Sequence, residues 1–466
     1  MTYRNLGRQL RRNAGALAVL AALPLAACNL DKFLNLTDPD IINPSDLASP
    51  AGAEAERIGA LSRLNQATSG AESFVLYGGL LGDEWRSGDT FIQRNETDQR
   101  AVATNNANIE TALRILNRAR VSAFEAHEGL KKYAPDAPPS EIAEMYVVEA
   151  FTENMLAENF CNGIPLSYVL EGGVQITGSP LTNAEVYALA LAHYDTALIY
   201  LGAAGGPNDD AVIRYRAQVG RGRILLNQAK YPEAAAAVAG VPTSFAWQME
   251  HTQTTRDNQT WALNISGRRY TVTESEGPMA LNFQTANDPR VPVCRGGSAA
   301  CAGISPTSTN PTSFDASTPL WLQKVWPTRS TPVVIASGVE ARLIEAEAQV
   351  QAGDPLYLVT LNTLRTLPVA QDATRGTPLT PLVDPVTPAA RQDQLFRERA
   401  FWLFSTGHRL GDMRRLLRAP YGRTQAAVFP NGAFFKGGNY GPDVNFPVSQ
   451  AEENNPDFHG CIDRNP

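Results

Sequence analysis

Asp83 and Glu84 are neighbouring carboxylates, the residue type that glycoside hydrolysis uses in pairs. Adjacent residues rarely face one bond, and two separated carboxylates need a placement that only tertiary structure supplies. Trp85 and Arg86 follow directly. An indole stacks on apolar sugar faces or on aromatic side chains, and an arginine offers a planar fork of donors. His408 and Asp412 stand at i,i+4 spacing, which would suit a general-base pair. No serine or cysteine nucleophile motif accompanies them, and no Gly-x-Ser-x-Gly occurs. Arg409 and Arg414 crowd the same stretch, so ion pairing with helix termination at Gly411 is the expected role. A glycine-rich phosphate loop, HExxH and an EF-hand pattern are all missing from the sequence. The expectation is a protein that is not an enzyme and takes no cofactor and no metal.

Five cysteines are present: Cys28, Cys161, Cys294, Cys301 and Cys461. If Cys28 is modified, four remain, an even number that suits an oxidising compartment. Three pairings are open. Cys294 and Cys301 bracket a Gly- and Ala-rich loop that can bring them together, which leaves Cys161 with Cys461. The rival reading is a metal site, but there is no Cys-x-x-Cys and the five histidines are scattered.

Helices must position these residues. Apolar spacing near three and four predicts helices over about 52–68, 107–133 and 141–159, with a polar loop around Gly82 to Asp89. Thr182 to Glu185 forms a cap leading into 186–201, Asp209-Asp210 opens 211–228, and a short turn leads into 233–239. A further pair is predicted at 339–351 and 358–367. Helix, tight turn, small residues, helix is a tetratricopeptide-like pattern of irregular length. From about 245 to 332 the helical signal fades. Arg269–Thr273 and Val291–Val293 look strand-like, seven prolines fall within 289–332, and the stretch holds Trp247, Trp261, Trp321 and Trp326. Loops of this kind present binding groups on a rigid scaffold, although any one indole more commonly packs the loop down.

The chain of 466 residues has 40 Lys and Arg against 47 Asp and Glu. Residues 1–27 carry four arginines and no acid, so the remainder has 36 bases against 47 acids. That balance is poor for nucleic-acid binding. Arg4 to Arg12 precede a short apolar run ending in Leu25-Ala26-Ala27-Cys28. This resembles the bacterial lipobox, with residues 1–27 as signal peptide, Cys28 as the lipidated residue and 28–50 as a proline-containing tether. Several acyl chains then hold the protein on a membrane, because each buried methylene contributes roughly 0.8 kcal/mol. The membrane contact expected is the lipid anchor alone.

Three ordered segments resemble the SusD/RagB family of outer-membrane nutrient-binding lipoproteins. They are Arg397 to Arg415 with Gly407-His408-Arg409 at its centre, Phe446-Pro447-Val448 followed by Asn455-Pro456, and Asp288-Pro289-Arg290 followed by Arg342 to Ala348. Thr406 stands where the family usually has Glu, and Leu410-Gly411 replaces an aromatic pair, so the chain looks like a divergent member. The resemblance implies a mainly α fold of tetratricopeptide-like helix pairs with a loop-rich insert carrying short strands. That is a single domain over 51–466, with its scaffold at about 51–244 and 333–420 and its insert at about 245–332. It implies a surface lipoprotein of the cell outer membrane that captures oligosaccharides or peptides for a SusC-like TonB-dependent transporter. It implies ligand contacts from Trp85, Arg86, Phe91 and Asn95 after the first long helix and from Trp321 and Trp326 in the insert, with Trp85 and Trp321 lining one site. A surface-anchored glycan hydrolase and a tetratricopeptide-like assembly scaffold are the alternatives.

Overall fold

The computed structural model describes residues 47–170, 174–366 and 379–466. The expected signal peptide, Cys28 and nearly all of the expected tether lie outside these residues. Among the described residues twelve α-helices carry the architecture: α1 (Pro50–Thr68), α2 (Phe74–Leu81), α3 (Ile92–Asp98), α4 (Ala107–Tyr133), α5 (Pro139–Asn159), α6 (Asn183–Leu201), α7 (Ala211–Asn227), α8 (Tyr231–Val238), α9 (Gly338–Ala352), α10 (Leu356–Arg365), α11 (Pro388–Trp402) and α12 (Arg409–Leu417). The strands are short: β1 (Trp85–Ser87), β2 (Ile164–Pro165), β3 (Tyr168–Leu170), β4 (Val174–Ile176), β5 (Pro180–Leu181), β6 (Ala246–Met249), β7 (Tyr270–Val272), β8 (Val293–Arg295), β9 (Trp321–Gln323) and β10 (Val333–Ser337). They pair two at a time, all antiparallel. The fold is mainly α.

Local chemistry explains the helices. Asn106 caps α4 by accepting from the N–H groups of Asn108 (3.1 Å) and Ile109 (3.2 Å), Glu110 sits in its first turn and Lys131 and Lys132 in its last. That charge order complements the helix dipole. Its buried stripe, Ile109, Leu113, Leu116, Ala119, Ala123, Ala126 and Leu130, recurs every three or four residues. Thr182 and Glu185 close a reciprocal capping box at α6. Successive helices pack in pairs: α1 on α4, α4 on α5, α5 on α6, α7 on α8, α9 on α10. Close approach needs small residues. A Cβ added at Gly220 of α7 would stand 2.1 Å from the Tyr194 hydroxyl of α6.

Two helices not expected from the sequence flank the Gly82–Asp89 loop. Phe74–Leu81 is buried at every position, so it shows no amphipathic period, and the Ser73 side chain caps it. In α3 polar residues dominate, so the apolar stripe that would mark it is missing. Gly411 does not end a helix; it lies inside α12, which starts at Arg409. The irregular stretch between α8 and α9 is clasped at its ends by the β6–β10 ladder, which carries a bulge between Val334 and Ala336.

Two disulfides are formed. Cys161 joins Cys461 with Cα atoms 5.9 Å apart, and Cys294 joins Cys301 with Cα atoms 5.6 Å apart.

Candidate functional site

The charged cluster around His408 is structural. His408 Nε2 meets Glu340 at 2.9 Å and its Nδ1 meets the Thr406 hydroxyl at 2.8 Å. Arg399 grips Asp412 with two bonds of 2.7 and 2.8 Å, and Arg415 grips Glu347 with two of 2.9 and 3.0 Å. All seven side chains are buried. Paired and unreachable, they tie α9, α11 and α12 together. Asp83 and Glu84 are sealed in the same way, each 1% exposed. Burial pushes the Glu84 carboxyl up to about 8, against a 2.9 Å bond from the Ser405 N–H and the charge of Arg409. No substrate bond can reach either carboxylate.

The accessible chemistry lies just past β1. Here three segments are laced by backbone: Gly88 N–H donates to the Arg269 carbonyl, Phe314 N–H to the Arg268 carbonyl, and Asp315 N–H to the Gly88 carbonyl, each at 2.9 Å. Gly88 is required, since a Cβ there would stand 2.2 Å from that of Ser313. Asp89 is the buried hub. It pairs with Arg94, accepts from Arg269 at 2.7 Å and takes the Thr90 N–H at 2.6 Å. Burial opposes its ionisation, but Arg269 and Arg94 outweigh that and hold the carboxyl below its usual range. Lys436 then crosses from the C-terminal loop, donating to the Asp89 carbonyl at 2.6 Å and to Asn95 at 3.0 Å and pairing with Asp315 at 2.9 Å.

Three phenyl rings emerge from this frame: Phe91, Phe314 and Phe435, exposed by 49%, 41% and 38%. Each is steadied by a guanidinium. Arg269 lies 3.4 Å from the Phe314 centroid and 5.1 Å from that of Phe91, and Arg86 lies 4.5 Å from that of Phe435. Beneath them Asp98 and Glu276 are buried. Burial pushes both carboxyls up, Glu276 adds to this at Asp98, and Arg86 pulls Glu276 back. The result is a surface of half-exposed ring faces beside polar groups of Arg86, Arg269 and Asn95, with Lys436 tying the loops together. Flat apolar faces with oriented donors match what a sugar ring presents.

Of the residues singled out from sequence, Arg86, Phe91 and Asn95 fall in this surface. Trp85 does not. It is 0% exposed, its ring Nε1–H donates to Ser405 Oγ at 3.0 Å, and it packs on Phe404. Trp326 is 1% exposed and likewise offers no face to a ligand. Both expected ligand contacts are corrected to core residues. Trp321 is half-buried on β9, where its backbone N–H donates to the Thr271 hydroxyl oxygen at 2.7 Å. Thr271 is the register partner of Arg86, so the first loop and the insert do converge there. Arg269, Phe314, Phe435 and Lys436 were missed. The signal was faint: Phe314 alone between Ser313 and Asp315, and Phe435 in the run Phe434-Phe435-Lys436-Gly437-Gly438.

A groove of about 880 Å³ runs between α4, the β3–β4 hairpin and residues 449–455. Its one aromatic is Tyr168, with Arg120 4.3 Å from the ring centroid, so the groove gathers no set of rings comparable to Phe91, Phe314 and Phe435.

Comparison with solved structures gives the fold. A SusD-like carbohydrate-binding protein of Bacteroides fragilis superposes with a TM-score of 0.63 at 15% identity, over 89% of this chain and 99% of that one. The chain has the SusD-like fold. A SusD superfamily protein of Parabacteroides distasonis gives 0.63 at 13% identity over 88% and 98%, and a SusD/RagB family protein of Bacteroides thetaiotaomicron 0.61 at 12% over 86% and 94%. No family model matches the sequence, and no curated protein matches it.

Proposed function

We propose that this chain is a divergent SusD/RagB-type binding protein that captures oligosaccharides and performs no chemistry on them. The observation that carries the reading is the trio of half-exposed rings, Phe91, Phe314 and Phe435, each with a guanidinium on its face. The SusD-like fold and the carbohydrate-binding description of similar structures support it. Sealing of Asp83, Glu84, His408 and Asp412 speaks against hydrolysis. In this reading the chain is anchored to the outer membrane through lipid on Cys28 and passes its ligand to a SusC-like TonB-dependent transporter.

Calorimetric titration of the purified chain with glycan and peptide panels tests the proposal. Saturable glycan binding, unchanged glycan on recovery, and loss of binding in Phe314→Ala are expected. Binding of peptides alone would move the reading to the peptide branch, and glycan cleavage would overturn it.

A further inference from the structure

The five histidines are dispersed in sequence, yet two of them converge on one buried acidic pair. Glu149 and Glu153 sit four residues apart on α5, hence on one helix face. They are 1% and 0% exposed. His193 comes in from α6, with Nδ1 2.9 Å from Glu153 Oε2 and 3.9 Å from Glu149 Oε2. His127 comes from α4 and places Nε2 3.0 Å from Glu149 Oε2, its ring stacked on Tyr146 at 4.1 Å. One oxygen on each carboxylate, Glu149 Oε1 and Glu153 Oε1, has no hydrogen-bond partner. Two buried carboxylates with orphaned oxygens are costly unless something cationic engages them. The nearby cation Arg120 favours the ionised Glu153 by its charge, but it donates to the Ser167 carbonyl, lies over the Tyr168 ring and leaves Nε and Nη1 unpartnered, so it hydrogen-bonds neither carboxylate.

We propose that Glu149, Glu153 and His193 form a site for one divalent first-row transition cation, with zinc as its natural probe. One ligand atom from each of the three falls within 4.8 Å of the others. Bonds of about 2.0–2.1 Å in tetrahedral geometry separate neighbouring ligands by roughly 3.3 Å, so small rotations suffice. An imidazole with two carboxylates suits zinc, manganese or iron better than calcium, which prefers all-oxygen shells. The His193 side chain keeps 18% of its surface exposed, leaving a solvent side where water could complete the shell. His127 would donate to a ligating carboxylate and fix its orientation, the usual task of an outer partner. The ion would cross-link α5 and α6, away from the phenyl surface.

The test uses the full chain, stripped with chelator, dialysed against zinc and assayed by plasma mass spectrometry. One zinc per chain is expected. Glu153→Gln and His193→Gln should each weaken zinc by more than about 100-fold, and His127→Gln by roughly 10–100-fold, as outer partners do. Zinc-free wild type, or equal retention by Glu153→Gln and His193→Gln, overturns the proposal. Should both variants fail to fold, proton NMR of the cobalt-loaded wild type decides. A paramagnetically shifted imidazole N–H supports the site, and its absence refutes it.

Discussion

Arg409 and Asp83 form a two-bond ion pair, Nε to Oδ1 and Nη2 to Oδ2 each at 2.6 Å, across 326 residues of chain. Both side chains are about 1% exposed. The bond fixes the start of α12 against the segment that leads into β1, and so sets where the phenyl-bearing loop begins. A buried pair is costly to break one-sidedly, because the survivor keeps its charge without a partner. Asp83→Ala should therefore destabilise the chain by about 3–5 kcal/mol. Adding Arg409→Met should recover part of that loss, read as denaturation midpoints of the single and double variants.

Phe314 and Trp85 should respond oppositely. Phe314→Ala should cut glycan affinity by about tenfold or more, the scale of one lost stacking contact of about 1.4 kcal/mol, with little change in melting. Trp85→Ala should cost about 3–5 kcal/mol of stability, because it empties a buried site. A Phe314→Ala variant that binds normally would remove that ring from the site.

Glu84 gives the stability curve a distinctive slope. Its folded pKa of about 8 lies above the ordinary 4.5, so folding favours the protonated form. That contribution is complete below pH 4.5 and is lost as pH rises through 8. Between these limits it should amount to about 1.4 kcal/mol per pH unit. Glu84→Gln should flatten this part of the profile and be more stable than wild type at pH 8, which urea titrations across pH would register.

The two disulfides should differ in weight. Cys161–Cys461 closes 300 residues and Cys294–Cys301 only 7. On the chain-entropy account the longer loop restrains the unfolded chain more, so Cys461→Ser should cost more than Cys301→Ser, within about 2–5 kcal/mol. Peptide mapping without reduction should recover both links.

Cys28→Ser tests the anchor. The variant should leave the membrane fraction or keep its leader, and a processed, membrane-bound product would remove the lipidation claim.

Much of the scaffold was legible because α4 and α5 bury apolar residues at helical spacing and α6 opens on a capping box. The helix α2 was not, because a segment buried on all sides has no polar face to set a period. The site was half legible. On β1 the side chains alternate, so Trp85 faces the core while Arg86 faces outward, and residue type alone does not say which. Phe314 and Phe435 became partners of Phe91 only through Gly88 and Lys436, contacts that join loops hundreds of residues apart.

Asp89 concentrates that assembly in one carboxylate and one carbonyl. Arg94, Arg269 and Lys436 all converge on it, while the helix pairs hold together without it. The phenyl surface is therefore assembled by contacts separate from those that pack the helix pairs. A change at position 89 would take a buried partner from Arg94 and Arg269 and loosen the Gly88, Phe314 and Lys436 segments together, so the three rings stand or fall as one unit.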